Sequence, residues 1–121
     1  MKKRVLFVDD SPSVVQAAYD ELSEKGYEVD VGYDGEEALD RLKDNVPDII
    51  ILDIEMPRMR GDEVAERIRK SPNYANIPLI ALTARSAETI GEKSGYFDAY
   101  LIKPFGFEQM LKIIIEKIGE P

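Results

Sequence analysis

Four consecutive branched apolar residues occupy positions 49–52, and Asp53 follows them directly. The run shows no polar alternation, so both faces of the strand that it predicts must be covered, as in the central strand of a parallel sheet. In open α/β sheets, ligands bind outside the carboxyl ends of the strands. The pattern therefore predicts a buried strand that delivers a carboxylate to the ligand-binding edge of a sheet.

The rest of the chain alternates between strand and helix patterns. Besides 49–52, apolar runs predict strands over 4–8, 27–31, 77–82 and 100–102. Three- and four-residue spacing predicts helices over 12–25, around 38–42, between 61 and 71, weakly between 86 and 95, and over 107–118. Ser11 and Pro12 supply a helix cap and a first helical residue, and Gly26 supplies the stop.

Five strands alternating with five helices predict a doubly wound α/β fold, with a parallel sheet and helices on both faces. The length of 121 residues is typical of one domain, so we expect a single domain over 1–121.

Polar residues follow four of the five predicted strands. They are Asp9 and Asp10 after the first strand, Asp53 after the third, Thr83 after the fourth, and Lys103 and Pro104 after the fifth. In the flavodoxin-like strand order 2-1-3-4-5, the first and third strands are neighbours at the switch point. In that order, three carboxylates converge in one crevice.

Such a cluster needs cations. Two like charges about 4 Å apart cost roughly 4 kcal/mol at an effective dielectric near 20. Lys103 supplies one positive charge, and a hard divalent ion such as Mg²⁺ supplies the rest. The chemistry that this favours is phosphoryl transfer onto a carboxylate, with Asp53 as the nucleophile and the Thr83 hydroxyl as a hydrogen-bond donor.

Composition excludes several other functions. With 16 Lys and Arg against 24 Asp and Glu, the net charge of −8 repels nucleic acid, so direct binding to it is not expected. The absence of cysteine and histidine excludes a thiolate nucleophile, a Ser-His-Asp triad, a histidine-ligated zinc site and a phosphohistidine carrier. The apolar run at the amino terminus is too short for a signal peptide, and no segment is long enough to span a bilayer. We expect a cytoplasmic protein without membrane contact.

Five segments, in this order, resemble the response-regulator receiver domain of two-component signalling, either a stand-alone receiver of the chemotaxis type or a receiver cut from a longer protein. They are VLFVDDSPSV, DGEEAL, PDIIILDIEMPRMRG, LIALTA and AYLIKPF. The resemblance implies that Asp53 accepts phosphate from a sensor histidine kinase or a phosphotransfer protein. It further implies that Asp9, Asp10 and Asp53 hold Mg²⁺ together with the backbone carbonyl of Glu55, that Thr83 and Lys103 grip the phosphoryl group, and that the bond from Lys103 to Pro104 is cis.

The same resemblance implies a signalling module whose own chemistry is limited to accepting phosphate and slowly hydrolysing it. A monomer or weak dimer would act on a downstream protein target. One departure concerns the fourth helix. Thr83 and Lys103 are 103 − 83 = 20 residues apart, which is about two fewer than is usual in this family. The active-site residues are unaffected, but the signalling face built from the fourth helix and fifth strand is altered, so the partners that bind this face cannot be carried over.

Two other functions stay open at this point. An aspartyl-phosphate phosphatase also uses an Asp nucleophile and Mg²⁺, but such enzymes resemble D-x-D-x-T, and here Glu55 occupies the second acidic position. A docking domain that works without phosphate is the other alternative, although every acceptor-site residue is intact. Nucleotide enzymes are disfavoured because neither G-x-G-x-x-G nor G-x-x-x-x-G-K-[ST] occurs.

Four further expectations concern the surroundings of the site. The resemblance implies that Glu55 and Arg85 flank the path of the water that hydrolyses the phosphate, where their opposite charges would pair and partly close that path. Because an exposed ion pair is weak, we expect Arg85→Ala to change the rate of hydrolysis by less than about tenfold. Thr83 and Tyr100 are expected to end adjacent strands and to move together on phosphorylation, although an aromatic in a strand is more often simply packed. We expect the arginines at 58 and 60 to be solvated, and Pro57 and Gly61 to shape a turn.

Overall fold

The computed structural model of the chain describes residues 2–84 and 95–121. They form strands β1 (Arg4–Val8), β2 (Glu28–Gly32), β3 (Ile49–Asp53), β4 (Leu79–Thr83) and β5 (Ala99–Ile102), and helices α1 (Pro12–Lys25), α2 (Gly35–Asp44), α3 (Gly61–Lys70) and α4 (Phe107–Ile118). All neighbouring strands are parallel, in the order β2-β1-β3-β4-β5. The predicted fold and strand order are confirmed. The weak helix predicted between 86 and 95 lies, apart from Gly95, outside the described residues.

Strand β3 is buried along its whole length because both faces of the sheet carry helices. Ile50 and Leu52 point into a core that they share with apolar residues of α2 and α3. Ile49 and Ile51 point into a second core, shared with residues of α1 and α4. Alternating side chains thus enter two separate apolar layers, which is why the sequence of this strand shows no polar alternation.

Three strands begin at other residues than predicted, and β2, β3 and β4 each end one residue later than predicted. Strand β2 begins at Glu28 because the Tyr27 N–H donates to the Leu22 carbonyl at the end of α1. Strand β4 begins at Leu79, two residues late, because the Ile77 N–H is used in a turn with the Tyr74 carbonyl. Strand β5 begins at 99, one residue early. Local hydrogen bonds of the preceding turns decide the first two boundaries.

Helix α1 begins and ends at the predicted residues. Pro12 occupies its first turn, and Gly26 ends it in the left-handed conformation with φ 109°. The predicted cap at Ser11 is only partly right. Ser11 occupies the capping position, but its hydroxyl makes no capping hydrogen bond and lies 3.2 Å from the Ser13 hydroxyl. Its backbone N–H donates instead to Asp9.

None of the helices within residues 2–84 and 95–121 combines the length and the apolar character needed to cross a membrane.

Candidate functional site

Strand register brings the carboxyl ends of β1, β3, β4 and β5 to one edge of the sheet. Val8 pairs with Leu52, Asp53 with Leu82, and Thr83 with Ile102. The ladder continues past β5, because the Lys103 N–H donates to the Thr83 carbonyl at 2.8 Å. The polar residues that follow the strands in sequence therefore lie side by side in space.

Three carboxylates meet at this edge. One oxygen from each of Asp9, Asp10 and Asp53 lies within 4.8 Å of the other two. Asp9 and Asp53 are buried, whereas Asp10 is exposed. Hard oxygen ligands of this kind are the donor set that Mg²⁺ and Ca²⁺ prefer, and the exposed Asp10 leaves the cluster open to solvent. The three residues fit a divalent cation.

Among the described residues, Lys103 brings a positive charge to this cluster. Its Nζ lies 2.8 Å from Asp9 Oδ2 and 3.3 Å from Asp53 Oδ2. Burial alone would lower the pKa of the Lys103 ammonium, but the hydrogen bond to Asp9 and the charges of Asp53 and Asp9 outweigh burial, so the pKa is raised. Lys103 stays protonated and bridges the two buried carboxylates.

The Asp53 carboxyl has an unusual proton affinity. Burial, followed by the charge of Asp9, raises its pKa from 3.8 to about 7, against the opposing effects of Lys103 and of the Glu55 N–H. In the metal-free protein, Asp53 is therefore partly protonated near neutral pH. A bound cation would favour the ionised form, which is the nucleophilic one.

Two backbone hydrogen bonds orient the buried carboxylates. The Ser11 N–H donates to Asp9 Oδ1 at 2.9 Å, and the Glu55 N–H donates to Asp53 Oδ1 at 3.2 Å. Each bond comes from the residue two positions further along the chain. The loops after β1 and β3 therefore fix the side chains that precede them.

Thr83 lies fully buried at the end of β4, and its hydroxyl is engaged by Glu55. The hydroxyl donates to Glu55 Oε1 at 3.0 Å, and the Ala84 N–H donates to the same oxygen at 3.3 Å. From the sequence, we expected the backbone carbonyl of Glu55 to bind Mg²⁺ and its side chain to pair with Arg85. The contact between Glu55 and Thr83 was not predicted. Arg85 lies outside the described residues, so the proposed pair is a prediction only.

Tyr100 does not end its strand, and that premise was wrong. It is the second residue of β5 and pairs with Ala81, whereas Ile102 pairs with Thr83. Tyr100 is half-buried against the core of α2 and α3, and its ring centroid lies 5.9 Å from that of Phe97. Tyr100 lies on the same face of the sheet as Thr83. Its partner Ala81 precedes Thr83 by two residues, so Tyr100 is two residues further from the edge that carries the site.

In the loop between β3 and α3, the two arginines keep much of their side chains in solvent, as expected, and each also makes an ion pair. Arg58 is largely exposed, but its Nη2 lies 3.1 Å from Asp34 Oδ2, and its φ of 67° is left-handed. Arg60 lies 3.2 Å from the mostly buried Asp62 carboxylate. Both arginines therefore make ion pairs rather than being only solvated.

The loop after β5 contains the cis peptide bond between Lys103 and Pro104, as the resemblance implied.

The fold and the site define a flavodoxin-like α/β protein with an acidic, lysine-bridged site at the switch point of its sheet. The response regulator receiver domain family matches residues 5–115, and the chain belongs to that family, which serves two-component signalling. Receiver domains are signalling domains.

Relatives and solved structures agree with this assignment. The chain is 39% identical to the response regulator MprA of Mycobacterium sp. (strain KMS) over 92% of the chain and 48% of that protein, so it spans about half the length of such relatives. The chemotaxis protein CheY4 of Vibrio cholerae is 35% identical, with 98% of this chain and 100% of that one covered, at a TM-score of 0.91. TrrA of Thermotoga maritima, solved in complex with Mg²⁺ and BeF, is 39% identical, with coverages of 96% and 99% and a TM-score of 0.86.

Proposed function

We propose that this chain accepts a phosphoryl group on Asp53 and signals by changing the surface that it offers to a partner protein. The observation that supports the proposal most directly is the meeting of Asp9, Asp10 and Asp53 at the sheet edge, with Lys103 between the two buried carboxylates. This arrangement neutralises charge around one nucleophilic carboxylate.

In the proposed reaction, an ionised oxygen of Asp53 attacks the phosphorus of a phosphohistidine. The new O–P bond forms as the P–N bond breaks, and the bonding pair returns to the imidazole nitrogen of the donor. These 121 residues contain no histidine, so the donor histidine lies outside them, or a small acyl phosphate is the donor, in which case a P–O bond breaks instead.

The chain's own residues position the reactants. Asp9 and Asp10, with Asp53 and the backbone carbonyl of Glu55, would hold Mg²⁺, which supplies neutralisation of the phosphoryl charge when it is bound. The Lys103 ammonium offers a second positive charge to the phosphoryl oxygens. The Thr83 hydroxyl and the Ala84 N–H offer hydrogen bonds on the other side of the acceptor.

The partners follow from this chemistry. A sensor histidine kinase is expected for a receiver domain, and we propose that it or a phosphotransfer protein supplies the phosphate in the cytoplasm. The downstream target is a protein that recognises the phosphorylated form. A monomeric or weakly dimeric state stays a prediction.

Mass spectrometry after incubation with acetyl phosphate tests the proposal. The chain should gain one phosphoryl mass with Mg²⁺ and none with EDTA. Asp53→Asn should abolish the gain in mass. Asp44→Asn makes the same change from carboxylate to amide at an exposed position on α2, and this control should still gain the phosphoryl mass. Full labelling of the Asp53→Asn protein would refute the assignment of the acceptor.

A further inference from the structure

The side chain of Glu55 occupies two hydrogen-bond donors at the edge of the site. Its Oε1 accepts from the Thr83 hydroxyl at 3.0 Å and from the Ala84 N–H at 3.3 Å. We infer that this carboxylate is an internal competitor of the phosphoryl group, which takes over both donors only after Glu55 releases them. The inference rests on the proposed function and concerns how readily the same site fills.

The geometry makes Glu55 a suitable competitor. Its backbone N–H donates to Asp53 Oδ1 at 3.2 Å, so the residue is anchored to the acceptor carboxylate itself. Its side chain then reaches across to β4, where Asp53 and Leu82 are in register and Thr83 comes next. A single anionic oxygen thus lies beside the acceptor and bonds to two donors of the neighbouring strand.

The hydrogen bond from Thr83 to Glu55 stabilises the unphosphorylated state. The Thr83 side chain is fully buried, and a hydroxyl that donates to a carboxylate makes a charge-assisted bond, stronger than one between neutral groups. A phosphoryl group on Asp53 brings further negative charge and three acceptor oxygens to the same place. Because Glu55 and the phosphoryl group are both anions that need the same donors, the bonds to Glu55 must break as the phosphoryl group is bound.

The consequence is a lower affinity for the phosphoryl group than the site would otherwise have. Each contact that the unphosphorylated protein makes and the phosphorylated protein loses reduces the net free energy that is gained when the phosphoryl group binds. Removing the Glu55 side chain should therefore tighten the binding of a phosphoryl mimic. Shortening it in Glu55→Asp retracts the carboxylate by one methylene and should have a similar but smaller effect.

Calorimetric titration with beryllofluoride in saturating Mg²⁺ tests the inference, since fluoride-coordinated beryllium stands in for the phosphoryl group. We expect Glu55→Ala to bind about tenfold more tightly than the wild type, which corresponds to ~1.4 kcal/mol. Glu116→Gln, on the exposed face of α4, is the control. Like Glu55→Ala, it removes one negative charge from a chain of net charge −8, and it should leave the affinity for beryllofluoride unchanged. Glu55→Gln keeps an oxygen that can accept from Thr83, so it should fall between the wild type and Glu55→Ala and provides a second variant of nearly native shape.

A double-mutant cycle separates the shared donors from simple charge repulsion. In a Thr83→Ala background, one of the two donors is gone, and Glu55→Ala should tighten beryllofluoride binding by less than about threefold. An undiminished tenfold effect would overturn the competition for Thr83. No tightening in any Glu55 variant of a binding-competent protein would overturn the inference as a whole. If the wild type fails to bind beryllofluoride at all, the proposed function fails instead.

Discussion

A β-carbon added to Gly61 would lie 2.1 Å from the carbonyl oxygen of Asp53. This distance is much shorter than van der Waals contact. The β-carbon would be fixed to the backbone of Gly61 and the oxygen belongs to the backbone of Asp53, so neither atom can move away by a side-chain rotation. The Gly61 N–H also donates to the Ile54 carbonyl at 2.9 Å, which closes the loop between β3 and α3. Gly61 therefore allows the start of α3 to pack directly on Asp53, the residue that carries the proposed acceptor carboxylate.

Gly61→Ala should damage both the fold and the site. We expect the free energy of unfolding to fall by about 3 kcal/mol, since overpacking here must displace backbone. Phosphorylation by acetyl phosphate should slow by more than about tenfold, because displacement of Asp53 disturbs a positioned nucleophile. Urea unfolding and a labelling time course measure the two effects. Gly95→Ala is the control, as its β-carbon would meet no atom of residues 2–84 and 95–121 within 4 Å.

Stability should depend on pH through Asp53. Its pKa is about 7 in the folded protein and near 3.8 when unfolded, so between these values the folded state binds more protons. The stability that this group contributes is complete below the lower value and is lost as the pH rises through about 7. Asp53→Asn removes the buried charge, so this variant should not lose stability as the pH rises through about 7.

Urea unfolding in EDTA checks this sign. Relative to the wild type, Asp53→Asn should gain about 2 kcal/mol more stability near pH 8 than near pH 5. Asp44→Asn, which changes an exposed carboxylate, should show no such pH-dependent gain. A gain for Asp53→Asn that shrinks as the pH rises would contradict the raised pKa.

Sequence patterns predicted the sheet and its polar edge because both follow from short-range rules. A short run of branched apolar residues without alternation is typical of a strand covered on two faces, and parallel strands end at a common edge. The starts of β2 and β4 were misplaced because the N–H groups of Tyr27 and Ile77 bond within the preceding turns. Periodicity carries no information about that competition.

The details of the site depended on loop conformation, which short-range sequence patterns do not predict. Glu55 lies two residues after Asp53, the last residue of β3, so the direction of its side chain is set by the loop and not by the strand alternation. Its bond to Thr83 joins residues far apart in the chain and could not be predicted from spacing. Gly61 was correctly expected in a turn, but the close approach to Asp53 that requires it appears only in three dimensions.

Mg²⁺ should stabilise the folded chain through the three clustered carboxylates. At a concentration tenfold above its dissociation constant, the gain is about 1.4 kcal/mol in the free energy of unfolding. Asp10→Asn should lose most of it, since it removes a ligand that is exposed and has little other role in packing. NaCl at matched ionic strength controls for screening of the chain's net charge of −8. A full Mg²⁺ effect in Asp10→Asn would place the cation elsewhere.

The switch expected at Tyr100 starts from its half-buried position against Phe97. When the Thr83 hydroxyl turns towards a phosphoryl group on Asp53, space opens on the face of β4 that Tyr100 shares, and we expect the ring to rotate inward and become more buried. The chain has 6 tyrosines and no tryptophan, so ¹⁹F NMR of fluorotyrosine-labelled protein can follow this ring, with Tyr100→Phe assigning its signal. Beryllofluoride with Mg²⁺ should shift that signal and reduce its broadening by a soluble paramagnetic agent, while the signal of Tyr19, exposed on α1, should not move. An unchanged Tyr100 signal in saturated protein would show that phosphorylation is read out by another part of the surface.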